Sequence, residues 1–99
     1  MHSEEISFHN NESDKQFVVR TQGAQGKIEY EKHSPGHLDL CHTEVDPELA
    51  GKGIAKVLVQ RALEFCKANE FKVTPTCTYV AEYIKRHPEY QYLVKENHA

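Results

Sequence analysis

The segment that decides the fold reads Val45-Asp46-Pro47-Glu48-Leu49-Ala50-Gly51-Lys52-Gly53-Ile54-Ala55. Polarity alternates in the residues before it, as in a strand, and repeats with a helical period in the residues after it. Its two glycines stand where the first main-chain N–H groups of a helix lack partners and the helix dipole is positive. Such a junction suits a phosphate or pyrophosphate, and Lys52 and Lys56 add positive charge.

Two known phosphate motifs differ from this junction, and a third interpretation needs no ligand. The dinucleotide fingerprint requires another glycine three residues after Gly53, where this chain has Lys56. The phosphate loop of NTPases requires Gly-Lys-Ser/Thr after a longer loop, whereas here Gly53 follows Lys52. An ordinary strand-to-helix turn also accounts for two glycines, so the junction alone leaves phosphate binding open.

Four alternating runs precede the junction, with Gly-, Pro- and Asn-rich turns between them. They cover residues 5–8, 17–20, 27–31 and His37–Val45, and their spacing predicts an antiparallel meander. Strict alternation in the fourth run predicts two faces. One face is expected to carry Leu38, Leu40, His42 and Glu44, and the other Asp39, Cys41, Thr43 and Val45.

After the junction the period predicts a long helix over residues 54–69, apolar except for one narrow polar arc. A fifth strand is expected at residues 71–77, which makes a right-handed parallel crossover. Pro75 removes a ladder donor, so the fourth and fifth strands should pair poorly around it. Thr78 is predicted to cap a short helix that Pro88 ends, and an apolar tail then docks on the body.

These elements predict one domain over residues 1–99. Its class is α+β (α/β-like), with a mixed, mainly antiparallel five-stranded sheet, one long helix in a β-α-β crossover and a short C-terminal helix. The chain of 99 residues has a net charge of −3. That balance argues against nucleic-acid binding. No apolar run approaches the roughly 20 residues of a membrane span, so no membrane association is predicted, and a monomer is favoured.

Cysteine and histidine usage predicts an intracellular, cytoplasmic protein with no metal. Three cysteines are an odd number, and the first residues lack the pattern of a signal peptide, so the thiols are expected to be reduced. The histidines include His33 and His37, which could join the Cys41-His42 pair, but their spacing matches no zinc template.

The ordered motifs resemble the GNAT N-acetyltransferase superfamily, in particular its minimal single-domain branch of about a hundred residues. The resemblance runs from about Gly26 to Val94, and its most specific part is the fourth strand with the glycine loop. The motifs that carry it are His42-Thr43-Glu44-Val45, Gly51-Lys52-Gly53-Ile54-Ala55, Pro75-Thr76-Cys77-Thr78-Tyr79-Val80 and Tyr83-Ile84-Lys85-Arg86-His87-Pro88-Glu89-Tyr90.

The resemblance implies a GNAT-like acyl-CoA N-acyltransferase fold that binds acetyl-CoA where the fourth and fifth strands splay apart. The pantetheine arm would pair with the main chain of residues 42–45, and an N–H group near Val45 would hold the thioester oxygen. Residues implied around the arm and the phosphates are His42, Thr43, Val45, Ala50, Gly51, Lys52, Gly53, Ile54, Ala55, Cys77, Tyr79, Tyr83, Lys85 and Arg86.

Three residues are candidates for catalysis. Cys77 precedes a predicted helix N-terminus, which favours a thiolate; it would be a nucleophile or the proton donor to departing CoA. Glu44 is the candidate base for an acceptor ammonium, with His42 as the alternative. The implied reaction is acetyl transfer to a primary amine of a small molecule, a protein lysine or an N-terminus. The alternative is a CoA-binding module with little or no catalysis.

Two departures from the superfamily pattern bear on this interpretation. Many members carry Gln or Arg where this chain has Glu48. Longer members also have an N-terminal helix pair and additional C-terminal strands that shape the acceptor site. The resemblance therefore does not extend to acceptor specificity.

Overall fold

The computed structural model describes residues 5–95 of the chain. Four strands, a long α-helix, a fifth strand and a short α-helix follow one another in the predicted order, and two short 3-10 segments cover Pro47–Leu49 and Pro88–Leu93. The main elements are β1 (Ser7–Asn11), β2 (Gln16–Thr21), β3 (Ala24–Ser34), β4 (His37–Val45), α1 (Ile54–Ala68), β5 (Lys72–Thr74) and α2 (Thr78–Arg86).

The strands form one sheet in the order β1-β2-β3-β4-β5. The first three pairings are antiparallel, and β5 runs parallel to β4. The long helix α1 connects these two parallel strands. The predicted mixed, mainly antiparallel sheet with a β-α-β crossover and a short C-terminal helix is therefore confirmed.

One face of the sheet and the apolar face of α1 form the core. Side chains of the central strands and of the helix are almost completely buried there, and each contributes about 1.5–3 kcal/mol when removed from water. Cys66 lies within this core, as its helical position indicates, and burial raises the pKa of its thiol to about 12. The buried set includes Phe17, Val19, Ile28, Leu38, Leu40, Leu58, Val59, Ala62, Leu63 and Cys66.

A β-bulge at Cys41 overturns the predicted faces of β4. Leu40 lies opposite Tyr30 whereas His42 lies opposite Glu29, so Cys41 is an additional residue on β4. An additional residue reverses the alternation beyond it. Leu38 and Leu40 therefore share the helix-covered face with Thr43 and Val45, which lie opposite Ile28 and Gly26. His42 and Glu44 lie on the outer face and are exposed, so their predicted place beside Leu38 and Leu40 is wrong.

The fifth strand is shorter than predicted. β5 covers only Lys72–Thr74 and pairs with β4 from His37 to Asp39. Pro75 cannot donate to the ladder, and the N–H group of Thr76 turns back to the Thr74 carbonyl at 3.1 Å. The N–H group of Cys77 donates to the Leu40 carbonyl at 2.8 Å. The strands therefore separate at Pro75, as the sequence predicts.

The C-terminal segment packs back on the body as predicted. Tyr90 and Leu93 are buried, and Val94 forms a parallel bridge with Val73. The Tyr90 hydroxyl donates to the Glu64 carboxylate on α1 at 2.6 Å. This contact joins the C-terminal segment to α1, the helix that begins at the glycine junction.

Within residues 5–95, no helix is long and apolar enough to cross a membrane. The same residues contain no group of three or more His, Cys, Asp or Glu side chains arranged to hold a metal ion.

Candidate active site

The site is an opening between β4 and the segment that leads into α2. The last residue of β4 that pairs with β5 is Asp39, and the main chain of Leu40 meets Cys77. In the described part of the chain, residues 42–45 have a strand partner only on the β3 side. Their other main-chain edge faces the opening and spans about 10 Å. An extended ligand can therefore pair there as an additional strand would.

The glycine loop lies where β4 ends. Its start is fixed to β3 by two hydrogen bonds of 2.9 Å, from the Gln25 N–H group to the Asp46 carboxylate and from the Asp46 N–H group to the Gln25 carbonyl. Gly51 and Gly53 have φ values of +78° and +75°. L side chains are disfavoured in this region, which is the physical reason for glycine at both positions.

The main-chain donors of this loop differ from those the sequence predicts. The N–H groups of Ala50 and Lys52 already donate to the Pro47 and Leu49 carbonyls, at 3.1 and 3.2 Å. From Gly51 to Lys56, the N–H groups that keep no such partner among the described residues are those of Gly51, Gly53, Ile54, Ala55 and Lys56. They lie at the positive end of the α1 dipole, so this set can hold an anionic group.

Cys77 lies at the opposite end of the opening, as the N-cap residue of α2. Thr78, the predicted cap, is instead the first helical residue. The Cys77 sulfur lies 3.3 Å from the Thr43 hydroxyl oxygen. Burial alone would raise the pKa of the Cys77 thiol, but the Thr43 hydroxyl and the nearby main-chain N–H groups of Val80, Tyr79 and Thr43 outweigh it and lower the pKa. At a given pH, a larger fraction of Cys77 is therefore in the reactive thiolate form than in an ordinary cysteine.

A cavity of about 250 Å³ lies between the first turns of α1 and the exposed side of α2. The predicted residues Tyr79, Tyr83 and Arg86 line it, whereas Lys85 does not. Lys56, which is expected from the sequence to add positive charge near a phosphate, also lines it, and two lining residues, Glu82 and His87, are absent from the predicted set. The His87 ring stacks on the Tyr83 ring with centroids 3.9 Å apart. The spacing of Tyr79, Glu82, Tyr83, Arg86 and His87 on one helix face is the sequence signal that could have found them.

The three candidate catalytic side chains are divided between the two faces of the sheet. Cys77 lies with Thr43 on the helix-covered side. His42 and Glu44 lie together on the outer face, with the imidazole Nε2 3.8 Å from a carboxylate oxygen. The bulge at Cys41 causes this division. A reaction that uses both groups therefore has to bring its two reactants from opposite sides of β4.

Comparison with known proteins identifies the family. Residues 16–93 match the family model described as GCN5-related N-acetyl-transferase. "Protein NATD1" of Gallus gallus is 40% identical over 81 residues, which cover 80% of this chain and 74% of that protein. "Protein NATD1" of Homo sapiens is also 40% identical over 81 residues, covering 80% and 72%.

The fold has a counterpart among solved structures. The solution structure of a GCN5-like candidate N-acetyltransferase from Staphylococcus aureus superposes with a TM-score of 0.67 and covers 99% of this chain and 94% of that one. Its sequence is 22% identical, so this likeness concerns the fold, which is GNAT-like. Together with the family match over most of the sequence, it shows that the chain belongs to the GCN5-related N-acetyltransferase family and is an acyltransferase.

Proposed function

We propose that this chain transfers the acetyl group of acetyl-CoA to a primary amine. The observation that carries the proposal is the opening along residues 42–45, which has main-chain donors of the glycine loop at one end and Cys77 at the other. Acetyl-CoA has the matching order of groups, with a pyrophosphate, an extended amide-containing arm and a terminal thioester.

The proposed pose places the pyrophosphate on the N–H groups of Gly51, Gly53, Ile54 and Ala55. The pantetheine arm then pairs with the unpaired edge of residues 42–45, and the adenosine end lies near the cavity between α1 and α2. Lys52 of the glycine loop would add positive charge near the pyrophosphate, and the cavity residues Lys56 and Arg86 at the adenosine end. A molecule with a net charge of −3 can hold a polyanion in this way because screening makes such attraction local.

The thioester would lie beside Cys77 and the free main chain of β4. An N–H group on the free edge of β4 would stabilise the oxyanion that forms when the carbonyl is attacked. In a covalent route, the Cys77 thiolate attacks the carbonyl, the bond to the CoA sulfur breaks, and CoA leaves as a thiolate. The amine then attacks the Cys77 thioester and restores the thiolate. In a direct route, the amine attacks acetyl-CoA itself and Cys77 protonates the departing sulfur.

The proton of the incoming ammonium would be removed on the outer face of the sheet. His42 and Glu44 are there, exposed and 3.8 Å apart. They can serve as bases only for an amine that approaches from this side. Acetyl-CoA, on the helix-covered side, and the acceptor would thus meet across the opening.

The cheapest test of this proposal measures the thermal stability of the protein with and without CoA or acetyl-CoA. A ligand that binds only the folded state stabilises it by about 2.7 kcal/mol at a hundred times its Kd. A clear rise in Tm with both compounds, and none with pantetheine at the same concentration, supports the proposed pose. If neither CoA nor acetyl-CoA raises the Tm, the proposal is wrong.

Intact-mass measurement after incubation with acetyl-CoA separates the two routes. An acetyl adduct that is present in the wild type and absent from Cys77→Ala supports the covalent route. Amine-dependent release of free CoA that survives Cys77→Ala contradicts the nucleophile and retains direct transfer. The predicted acceptors, which are small amines, protein lysines and N-termini, can be compared in the same assay. The cytoplasmic location and the monomeric state of the protein stay predictions.

A further inference from the structure

Asp39 holds the segment before Cys77 with its side chain at the point where the two parallel strands part. Asp39 is the last residue of β4 that pairs with β5. Its Oδ1 atom accepts a hydrogen bond from the Thr76 hydroxyl. Its Oδ2 atom lies 3.2 Å from Nε2 of His33, on the neighbouring strand β3. The Asp39 side chain is only 15% exposed, so these two contacts fix the carboxylate against the sheet.

The main-chain bonds show what the Asp39–Thr76 contact replaces. Lys72, which pairs with His37, donates its N–H group to the Gly36 carbonyl. If this parallel ladder continued with its period of two, Thr76 would donate to Leu40. Instead Cys77 makes that bond, and the Thr76 N–H group turns back to Thr74. The chain therefore slips by one residue after Pro75, and the Thr76 side chain supplies the link to β4.

The slip brings the Cys77 sulfur to the Thr43 hydroxyl. Thr43 lies on the helix-covered face of β4, and its Oγ1 atom is 3.3 Å from the sulfur. Regular pairing would instead place Thr76 at this position beside β4. The contact between Thr43 and Cys77 thus depends on where the segment from Pro75 to Cys77 is anchored.

We propose that Asp39 is a positioning residue of the candidate active site, which acts through the Thr76 hydroxyl to hold Cys77 against Thr43. Because the main chain of Thr76 is shifted, its N–H group no longer bonds to β4. The hydrogen bond from the Thr76 hydroxyl to the Asp39 carboxylate takes the place of that link. The inference rests on the proposed function only for its consequence in acetyl transfer. The effect of Asp39 on the position of the Cys77 thiol can be tested without acetyl transfer.

The test measures the rate at which iodoacetamide alkylates Cys77, as a function of pH and without CoA. Peptide-resolved mass spectrometry separates Cys77 from Cys41, and buried Cys66 provides an unreactive reference. We expect Asp39→Ala and Thr76→Val to move the Cys77 alkylation midpoint to higher pH. Each unit of that shift slows alkylation about tenfold at neutral pH, because only the thiolate reacts.

Conservative variants distinguish positioning from general stability. Asp39→Asn keeps an acceptor for Thr76, and Thr76→Ser keeps the hydroxyl, so both should retain the wild-type midpoint. The Asp39→Ala/Thr76→Val double variant should shift it no further than either single variant, because both remove the same contact. If Asp39→Ala and Thr76→Val leave the midpoint unchanged while both remain folded by circular dichroism, the proposal is overturned.

The same variants separate this inference from the proposed function. With acetyl-CoA, Thr76→Val should lower the transfer rate at saturating cofactor and leave the Kd for CoA unchanged. A wild-type protein that fails to bind CoA contradicts the proposed function, but its alkylation profile still tests the role of Asp39. Normal CoA binding with an unshifted profile in the variants contradicts the role of Asp39 alone.

Discussion

The Thr43 hydroxyl oxygen lies 3.3 Å from the Cys77 sulfur and so connects the free part of β4 to the N-terminus of α2. This contact joins the two elements that border the opening, as does the bond from the Cys77 N–H group to the Leu40 carbonyl. It also contributes, with nearby main-chain N–H groups, to a Cys77 pKa below the ordinary value of 9.0 despite burial. The reactivity of the thiol thus depends on both β4 and the N-terminus of α2.

We predict that Thr43→Val raises the pKa of Cys77. The substitution keeps the shape of the side chain and removes the donor that stabilises the thiolate. Because only the thiolate is alkylated, the wild-type rate should rise with pH through a midpoint below 9.0, and the variant midpoint should lie higher. Thr21→Val, which removes a buried hydroxyl elsewhere in the sheet, is the matched control and should retain the wild-type midpoint. Equal midpoints in all three proteins would contradict this prediction.

His42 and Glu44 should affect the amine step and not cofactor binding. If they act as bases on the outer face, His42→Ala/Glu44→Gln should lower amine acetylation by about a hundredfold. The acetyl adduct on Cys77, where it forms, and the Kd for CoA should persist. Glu29→Gln is the control, since Glu29 lies opposite His42 on the same face. A double variant that acetylates amines at the wild-type rate would exclude both residues as bases.

The cavity between α1 and α2 predicts which cations bind the cofactor. Arg86→Gln and Lys56→Gln should each weaken acetyl-CoA binding about fivefold, equivalent to about 1 kcal/mol for an exposed ionic contact. Lys85→Gln is the matched control, because Lys85 neighbours Arg86 in α2 and does not line the cavity. Titration calorimetry at two salt concentrations measures these effects, which should shrink as salt increases. If all three variants lose the same affinity for acetyl-CoA, the ligand is attracted by the overall positive charge of this surface and not by contacts with Arg86 and Lys56.

Replacing either glycine of the loop by alanine should lower the free energy of unfolding more than the same change at Gly36. Gly53→Ala and Gly51→Ala place a Cβ atom at positive φ, although nothing lies within 4 Å of it. The cost is therefore conformational, about 1 kcal/mol each. Gly36→Ala also meets open space but at an ordinary φ, so it should cost much less. Urea denaturation measures the three free energies of unfolding, and equal costs at all three positions would contradict the argument.

The contact between Tyr90 and Glu64 should stabilise the C-terminal segment. Tyr90 is 4% exposed, and burial with the Glu64 bond raises the pKa of its hydroxyl, so it stays a donor at neutral pH. Tyr90→Phe should lower the free energy of unfolding by about 1 kcal/mol. Tyr92→Phe is the control, because Tyr92 is 57% exposed, and it should change stability by less than about 0.5 kcal/mol. Equal effects would show that the hydrogen bond adds nothing.

The sequence predicts β4 and α1 well because the period of the apolar residues and the glycine and proline turn residues indicate the same boundaries. The observed β4 has the predicted bounds, and α1 ends one residue before the predicted Asn69. β5 is three residues long and not the predicted seven. The pattern of polar and apolar residues does not show where the hydrogen bonds between β4 and β5 end, although Pro75 correctly marks the separation of the strands.

Features of the candidate site that depend on tertiary pairing could not be predicted. The bulge at Cys41 leaves no mark in the sequence, because its position follows from the register against β3. Strict alternation therefore assigned His42 and Glu44 to the wrong face. Likewise, the turn bonds that occupy the N–H groups of Ala50 and Lys52 arise from the 3-10 segment, which glycine spacing does not reveal.

The bulge at Cys41 also predicts how this protein tolerates changes in chain length. Deletion of Cys41 would make Leu40 and His42 neighbours, still opposite Tyr30 and Glu29. Regular alternation would then keep Thr43 and Val45 on the helix-covered face and His42 and Glu44 on the outer face. One residue inserted after His42 would instead reverse the alternation beyond it, so the helix-covered and outer faces of β4 would exchange their side chains without any substitution. We therefore expect β4 to tolerate deletion of Cys41 but not insertion of a residue after His42.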